Sequence, residues 1–152
     1  MRSLKSILAL ALTAFIFSCN QDLDTTILTK SGVVLDGSQE VPAKQVAGNG
    51  TMEYSYNRTT RTLSYTVKWN SLTDSITGFH IHGSAGKGFN APIVQNFSGY
   101  SRALSGTYSG TFLVDGFAVK EEDFLHGQFY VNIHTKTNPG GEIRGQIIFD
   151  NQ

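Results

Sequence analysis

Cysteine is almost absent: Cys19 is the only one in 152 residues, so no disulfide can form within the chain. Charge is sparse as well, at 16% of residues with a formal balance of zero. Without Arg2 and Lys5 near the N-terminus, 10 basic residues face 12 acidic ones. No basic run exists, and a charge of −2 gives no electrostatic attraction for phosphate backbones, which sets nucleic-acid binding aside. The longest apolar run, Ile7 to Phe17, has 11 residues, too few for a bilayer of ~30 Å that needs ~20. No Ser-His-Asp pattern, nucleophile elbow or spaced carboxylate pair is present, so hydrolytic chemistry has no visible carrier. "GSAGKGF" lacks the glycine and the hydroxyl residue that a phosphate-binding loop requires.

What is present begins with a leader. Arg2 and Lys5 precede the apolar run, which ends at Ser18 and Cys19, the layout of a signal peptide over residues 1–18. Ile16-Phe17-Ser18-Cys19 resembles a bacterial lipobox, of the type that tolerates a bulky residue such as Phe17. That resemblance implies cleavage before Cys19, lipidation of Cys19 and attachment to a membrane without spanning it. The expected localisation is an exported lipoprotein of the cell envelope, at the outer membrane. Residues 19–31 are polar apart from Ile27-Leu28 and read as a tether, followed by one domain over residues 32–150.

Within that domain the apolar pattern has period two. Met52, Tyr54 and Tyr56 alternate with polar residues, and after "NRTT" the alternation resumes at Leu63, Tyr65, Val67 and Trp69. Two such runs around a short polar break predict a hairpin. Further strands are expected at Val33–Leu35, Ser75–His82, Pro92–Phe97, Thr107–Val114, Gln128–Thr135 and Glu142–Phe149, separated by glycine-rich breaks. Val119–Gly127 alone reads as helical, for about two turns. About eight strands with at most one short helix predict an all-β fold, an antiparallel Greek-key-like β-sandwich or flattened barrel. The even spacing of Tyr54, Tyr56, Tyr65 and Trp69 marks them as core.

"GFHIHG" carries the chemistry. Alternation along a strand places Phe79 and Ile81 on the core face and His80 and His82 on the other. In "FYVNIHT" the same parity sends Phe129, Val131 and Ile133 inward and Tyr130, Asn132 and His134 outward. Neighbouring strands would bring His80, His82 and His134 together, and three neutral imidazoles suit copper, or less well zinc, with a position left open. A structural alternative stands beside it: histidines hydrogen-bonding glycine-rich loops, with Asn132 and Thr135 as partners. His126, in the helical stretch, reads as turn-stabilising. Glu142 and Arg144 share one parity and are expected to form a cross-strand ion pair or to hold the "NPGG" turn with Gly140 and Gly141. Glu40 in "SQEVP" reads as part of a turn.

Three stretches together resemble the CHRD domain, the module first described in chordin: "LDGSQEVP" (Leu35–Pro42), "GFHIHGSAGKGFNAPIV" (Gly78–Val94) and "LHGQFYVNIHTKTNPGGEIRGQI" (Leu125–Ile147). The resemblance covers nearly all of the chain after the tether. It implies an extracytoplasmic β-sandwich module. The leading expectation is a binding or interaction role with a protein or glycan partner, and the alternative is a copper-binding or redox protein. "GFHIH" is also similar to the copper-binding strand of copper/zinc superoxide dismutases, and "NIHT" to their later histidine strand. By that likeness His80, His82 and His134 are copper ligands of a redox protein. Against it, one cysteine cannot supply the dismutase disulfide, His126 is the only histidine between His82 and His134, and Glu142 follows the glycine turn where those enzymes place arginine.

Overall fold

The computed structural model describes residues 26–150, so the leader, Cys19 and the first part of the tether lie outside it. The expected all-β fold is found. Eight strands form one antiparallel sheet: β1 (Ile27–Asp36), β2 (Asn49–Asn57), β3 (Thr62–Asn70), β4 (Ile76–Gly83), β5 (Ile93–Asn96), β6 (Gly106–Leu113), β7 (Phe129–Thr135) and β8 (Ile143–Ile147). Their order across the sheet is β5-β4-β7-β8-β1-β2-β3-β6. The sheet curls so that its two ends face each other, which makes a flattened, nearly closed barrel.

Side chains rather than backbone hydrogen bonds seal that closure. Phe97, just after β5, stacks on Tyr65 of β3 at 5.1 Å and on Tyr108 of β6 at 5.3 Å, and meets Phe79 of β4 edge-on at 4.6 Å. Such aromatic pairs add to plain area burial, which is why the predicted core tyrosines are buried despite their hydroxyls. The Trp69 ring nitrogen donates to the Ala103 carbonyl at 2.9 Å, satisfying the one polar atom that its full burial would otherwise strand. One end is plugged by Phe124, whose ring packs on Tyr56, Phe129 and Phe149.

Three expectations need correction. Strand β1 begins at Ile27, so Ile27–Ser31, read as tether, lies in the strand, with Ile27 to Lys30 paired with β2. A register shift between Lys30 and Val33, with Gly32 at φ +69°, interrupts the alternation that would have revealed it. The helix α1 covers only Glu121–Leu125, barely more than one turn. Glu142 and Arg144 do not pair: the ion pair among the described residues is Lys30–Asp150.

Candidate metal centre

Strand register assembles the histidines. β4 pairs with β7 so that His80 faces Asn132, His82 faces Tyr130 and Gly78 faces His134. His80 and His134 are therefore diagonal neighbours on the face away from the core. One ring nitrogen from each of the three histidines lies within 4.8 Å of the others. Two nitrogens bound at ~2.0–2.1 Å to a single ion are at most ~4 Å apart, so the cluster is slightly wider than bonding spacing. Gly78 makes the room: a Cβ there would stand 2.7 Å from His80 Cε1 and 3.4 Å from His134 Cδ2.

Hydrogen bonding sorts the ring nitrogens into two sets. His82 Nδ1 is 2.9 Å from the Ala91 carbonyl oxygen, and His134 Nδ1 is 2.9 Å from that of Pro139. A carbonyl only accepts, so each Nδ1 carries the proton and each Nε2 keeps its lone pair. His82 Nε2, His134 Nε2 and His80 Nδ1 are all buried and have no hydrogen-bond partner among the described residues. Buried polar atoms are nearly always satisfied, and three orphans in one cluster need an explanation. The rings are also neutral near pH 7. Burial pushes His80 down to about 4, with the neighbouring His134 and His82 adding to the shift. Burial likewise lowers His82 and His134, outweighing the carbonyls that favour their charged forms.

The surroundings are a buried polar layer. Tyr130 stacks on His82 with ring centroids 4.8 Å apart and planes 1° from parallel. The Arg144 guanidinium carbon sits 3.3 Å from the Tyr130 ring centre. Arg144 itself is 1% exposed and donates to Asn90 Oδ1 at 3.0 Å and to the Phe89 carbonyl. The Tyr130 hydroxyl accepts from the Ala91 amide at 3.1 Å, so the residue whose carbonyl fixes His82 is itself held by Tyr130. Residues 84–92 are thereby clamped across the histidine face by groups from β4, β7 and β8.

Glu40 and Glu142 occupy the same region in different roles. Asn132 Nδ2 donates to Glu40 Oε1, not to the histidines or the glycine loop. Burial raises Glu40 to about 7, against the pull of Arg144 and of that hydrogen bond. Gly141, at φ +122°, lets the chain pass where a Cβ would lie 2.6 Å from Glu40 Oε1 and 2.7 Å from Asn132 Nδ2. Gly140 has open space around it. Glu142, fully buried, accepts from the Thr73 amide and hydroxyl and from the Thr135 hydroxyl at 2.6–2.7 Å, with Asn138 reaching the same carboxylate. It holds the turn after β7. His126 caps α1, its Nδ1 2.7 Å from the Glu122 carbonyl, and takes no part in the cluster.

Sequence reading thus located the three histidines but missed Glu40 and Asn90 as structural partners of the site. Tyr130 was visible only as an outward residue of the right parity. No curated protein and no solved structure matches the chain. The family model of the CHRD domain matches residues 32–147, taking in every strand from Val33 onward and all three histidines. The chain belongs to the CHRD domain family.

Proposed function

We propose that this chain is a lipid-anchored, extracytoplasmic CHRD module whose binding function is to hold a late first-row transition metal, copper before zinc, at His80, His82 and His134. The observation that carries the reading is the set of three buried ring nitrogens with no hydrogen-bond partner among the described residues. Their opposite nitrogens, in His82 and His134, are hydrogen-bonded to carbonyls, the arrangement that orients metal-bound imidazoles and strengthens them as donors. Three neutral nitrogens with no thiolate or carboxylate among them favour copper on ligand preference and on intrinsic affinity order. Anchoring through Cys19 is supported by the leader and the lipobox-like run before it.

Binding fits the site better than turnover. A redox enzyme handling a small anion needs a free cation beside the metal. Here the nearby guanidinium of Arg144 is committed to Tyr130, Asn90 and the Phe89 carbonyl. Bound copper would supply an electrophilic centre with a remaining position for a partner's donor group or for water.

Copper titration of the purified protein, beside a His80→Ala/His82→Ala/His134→Ala variant, tests the proposal. One equivalent bound by the wild type and lost in the variant supports it. Equal, weak binding by both means the histidines serve the loop face, and a protein or glycan ligand becomes the reading to pursue.

A further inference from the structure

Three of the exposed large apolar side chains share one end of the barrel. Phe117 is 89% exposed, Leu113 59% and Ile27 52%. Register places them together: Ile27 pairs with Asn57, Asn57 with Thr62, and Thr62 with Leu113, a single row across β1, β2, β3 and β6. The Val114 amide continues that row to the Arg61 carbonyl, and Phe117 follows three residues later.

Phe117 is presented by a built loop. The Asp115 carboxylate accepts from the amides of Phe117 at 2.8 Å and Val119 at 3.0 Å, and the Gly116 amide donates to the Val119 carbonyl. Val119 is buried, while Phe117 projects outward. A rigid turn that spends its hydrogen bonds on holding a phenyl ring in water points to an apolar environment on that side.

The path of the chain says which environment. Ile27 follows Cys19 by eight positions, and eight residues span at most ~28 Å even when fully extended. Ile27 belongs to the same end as Phe117, so a lipid on Cys19 holds this end near the bilayer surface. We infer that the Ile27–Leu113–Phe117 end is a membrane-facing tip, with Phe117 seated in the interfacial zone of a phospholipid bilayer. Aromatic and large aliphatic side chains favour that zone. Arg58 and Arg61 flank the tip, but Glu122 and Asp123 follow it on α1, so apolar insertion rather than net charge drives the contact. β1 runs from this tip to Asp36, which pairs with Arg144 at the other end. The Gly78 and His134 end of the histidine cluster is consequently turned toward the aqueous compartment.

This inference rests on the lipid anchor proposed above, and one experiment separates the two. The full-length protein, expressed in a bacterium that processes lipoproteins, is purified as wild type and as Phe117→Trp, reconstituted into phosphatidylcholine vesicles with and without brominated acyl chains, and floated. Trp69 is buried in the core, and the wild type supplies its background emission. Flotation with loss of most of the added tryptophan emission in brominated vesicles is the expected result. Flotation with that emission unquenched and water-like overturns the tip while leaving the anchor standing. A protein that fails to float and lacks lipid on Cys19 by intact mass overturns the anchor and this inference together.

Discussion

The rings of His82 and Tyr130 lie parallel, 4.8 Å apart and 1° from coplanar orientation. Because β7 lies between β4 and β8, the same phenol ring carries the Arg144 guanidinium. Its hydroxyl accepts from the Ala91 amide, and the carbonyl of the same residue accepts from His82 Nδ1. Tyr130 thus acts on His82 twice, through the ring plane and through the proton that keeps Nε2 available.

Tyr130→Phe keeps the stack and removes the hydroxyl. Partners of metal-bound histidines are typically worth ~10–100-fold in affinity, and a loss of about tenfold in copper affinity is expected with the fold intact. Competition titration against a chelator checks this, with circular dichroism as the control for folding. Unchanged affinity would show that the Ala91 peptide holds its place without the phenol.

Gly78→Ala probes the cluster from below. The new methyl would stand 2.7 Å from His80 Cε1, so the ring has to move away from His134. Stability should change little, since relief of unfolded-state entropy of ~0.4–1 kcal/mol works against the local strain. Copper spectra should show one imidazole fewer. A spectrum identical to that of the wild type would mean His80 is not a ligand.

Glu142→Gln replaces an acceptor-only carboxylate by an amide. The Thr73 amide, Thr73 hydroxyl and Thr135 hydroxyl all donate to Glu142, and an amide oxygen cannot serve every one of them. A buried donor left unsatisfied costs ~1–3 kcal/mol, and that loss should appear in urea unfolding midpoints. Hydrogen exchange should rise first around residues 73 and 135–142.

Arg144→Lys retains charge but not the planar fork that reaches Asn90, Phe89 and the Tyr130 face together. Faster exchange of the 84–92 amides and weaker copper binding are expected in concert. Faster exchange with unaltered metal affinity would separate the loop from the site.

Two buried groups give the stability profile opposite slopes. His80, neutral when folded and titrating at about 4, binds fewer protons than in the unfolded chain, where imidazole titrates near ~6.5. Its contribution is fully present above pH ~6.5 and is lost as pH falls toward 4. Glu40, raised to about 7, binds more protons when folded, so its contribution is present below pH ~4.5 and is lost as pH rises through 7. Glu40→Gln should therefore gain on the wild type as pH increases from 5 to 8, and His80→Ala should gain on it as pH decreases from 7 to 4, measured on metal-free protein. Parallel curves for either variant and the wild type would contradict the corresponding assignment.

Much of this was legible in alternation alone. Side-chain parity separates Phe79 and Ile81 from His80 and His82, and Phe129, Val131 and Ile133 from the outward side of β7. Pairing of β4 with β7 then needs only the antiparallel sheet that the turns imply. The start of β1 was hidden because the bulge at Gly32 breaks its period and few of its side chains reach the core. The side-chain contacts of Glu40 and Arg144 were hidden for a different reason. Glu40 meets Asn132 92 positions away, and Arg144 meets Asn90 54 positions away. Polar contacts of such long range leave no local signature, whereas apolar parity does.

The most direct measurement is the nitrogen coupling in electron paramagnetic resonance of the Cu(II)-loaded protein. Three imidazole nitrogens in the wild type, and two in each of His80→Ala, His82→Ala and His134→Ala, are the predicted result. A spectrum without imidazole coupling, or one that survives in the triple variant, would contradict the metal centre.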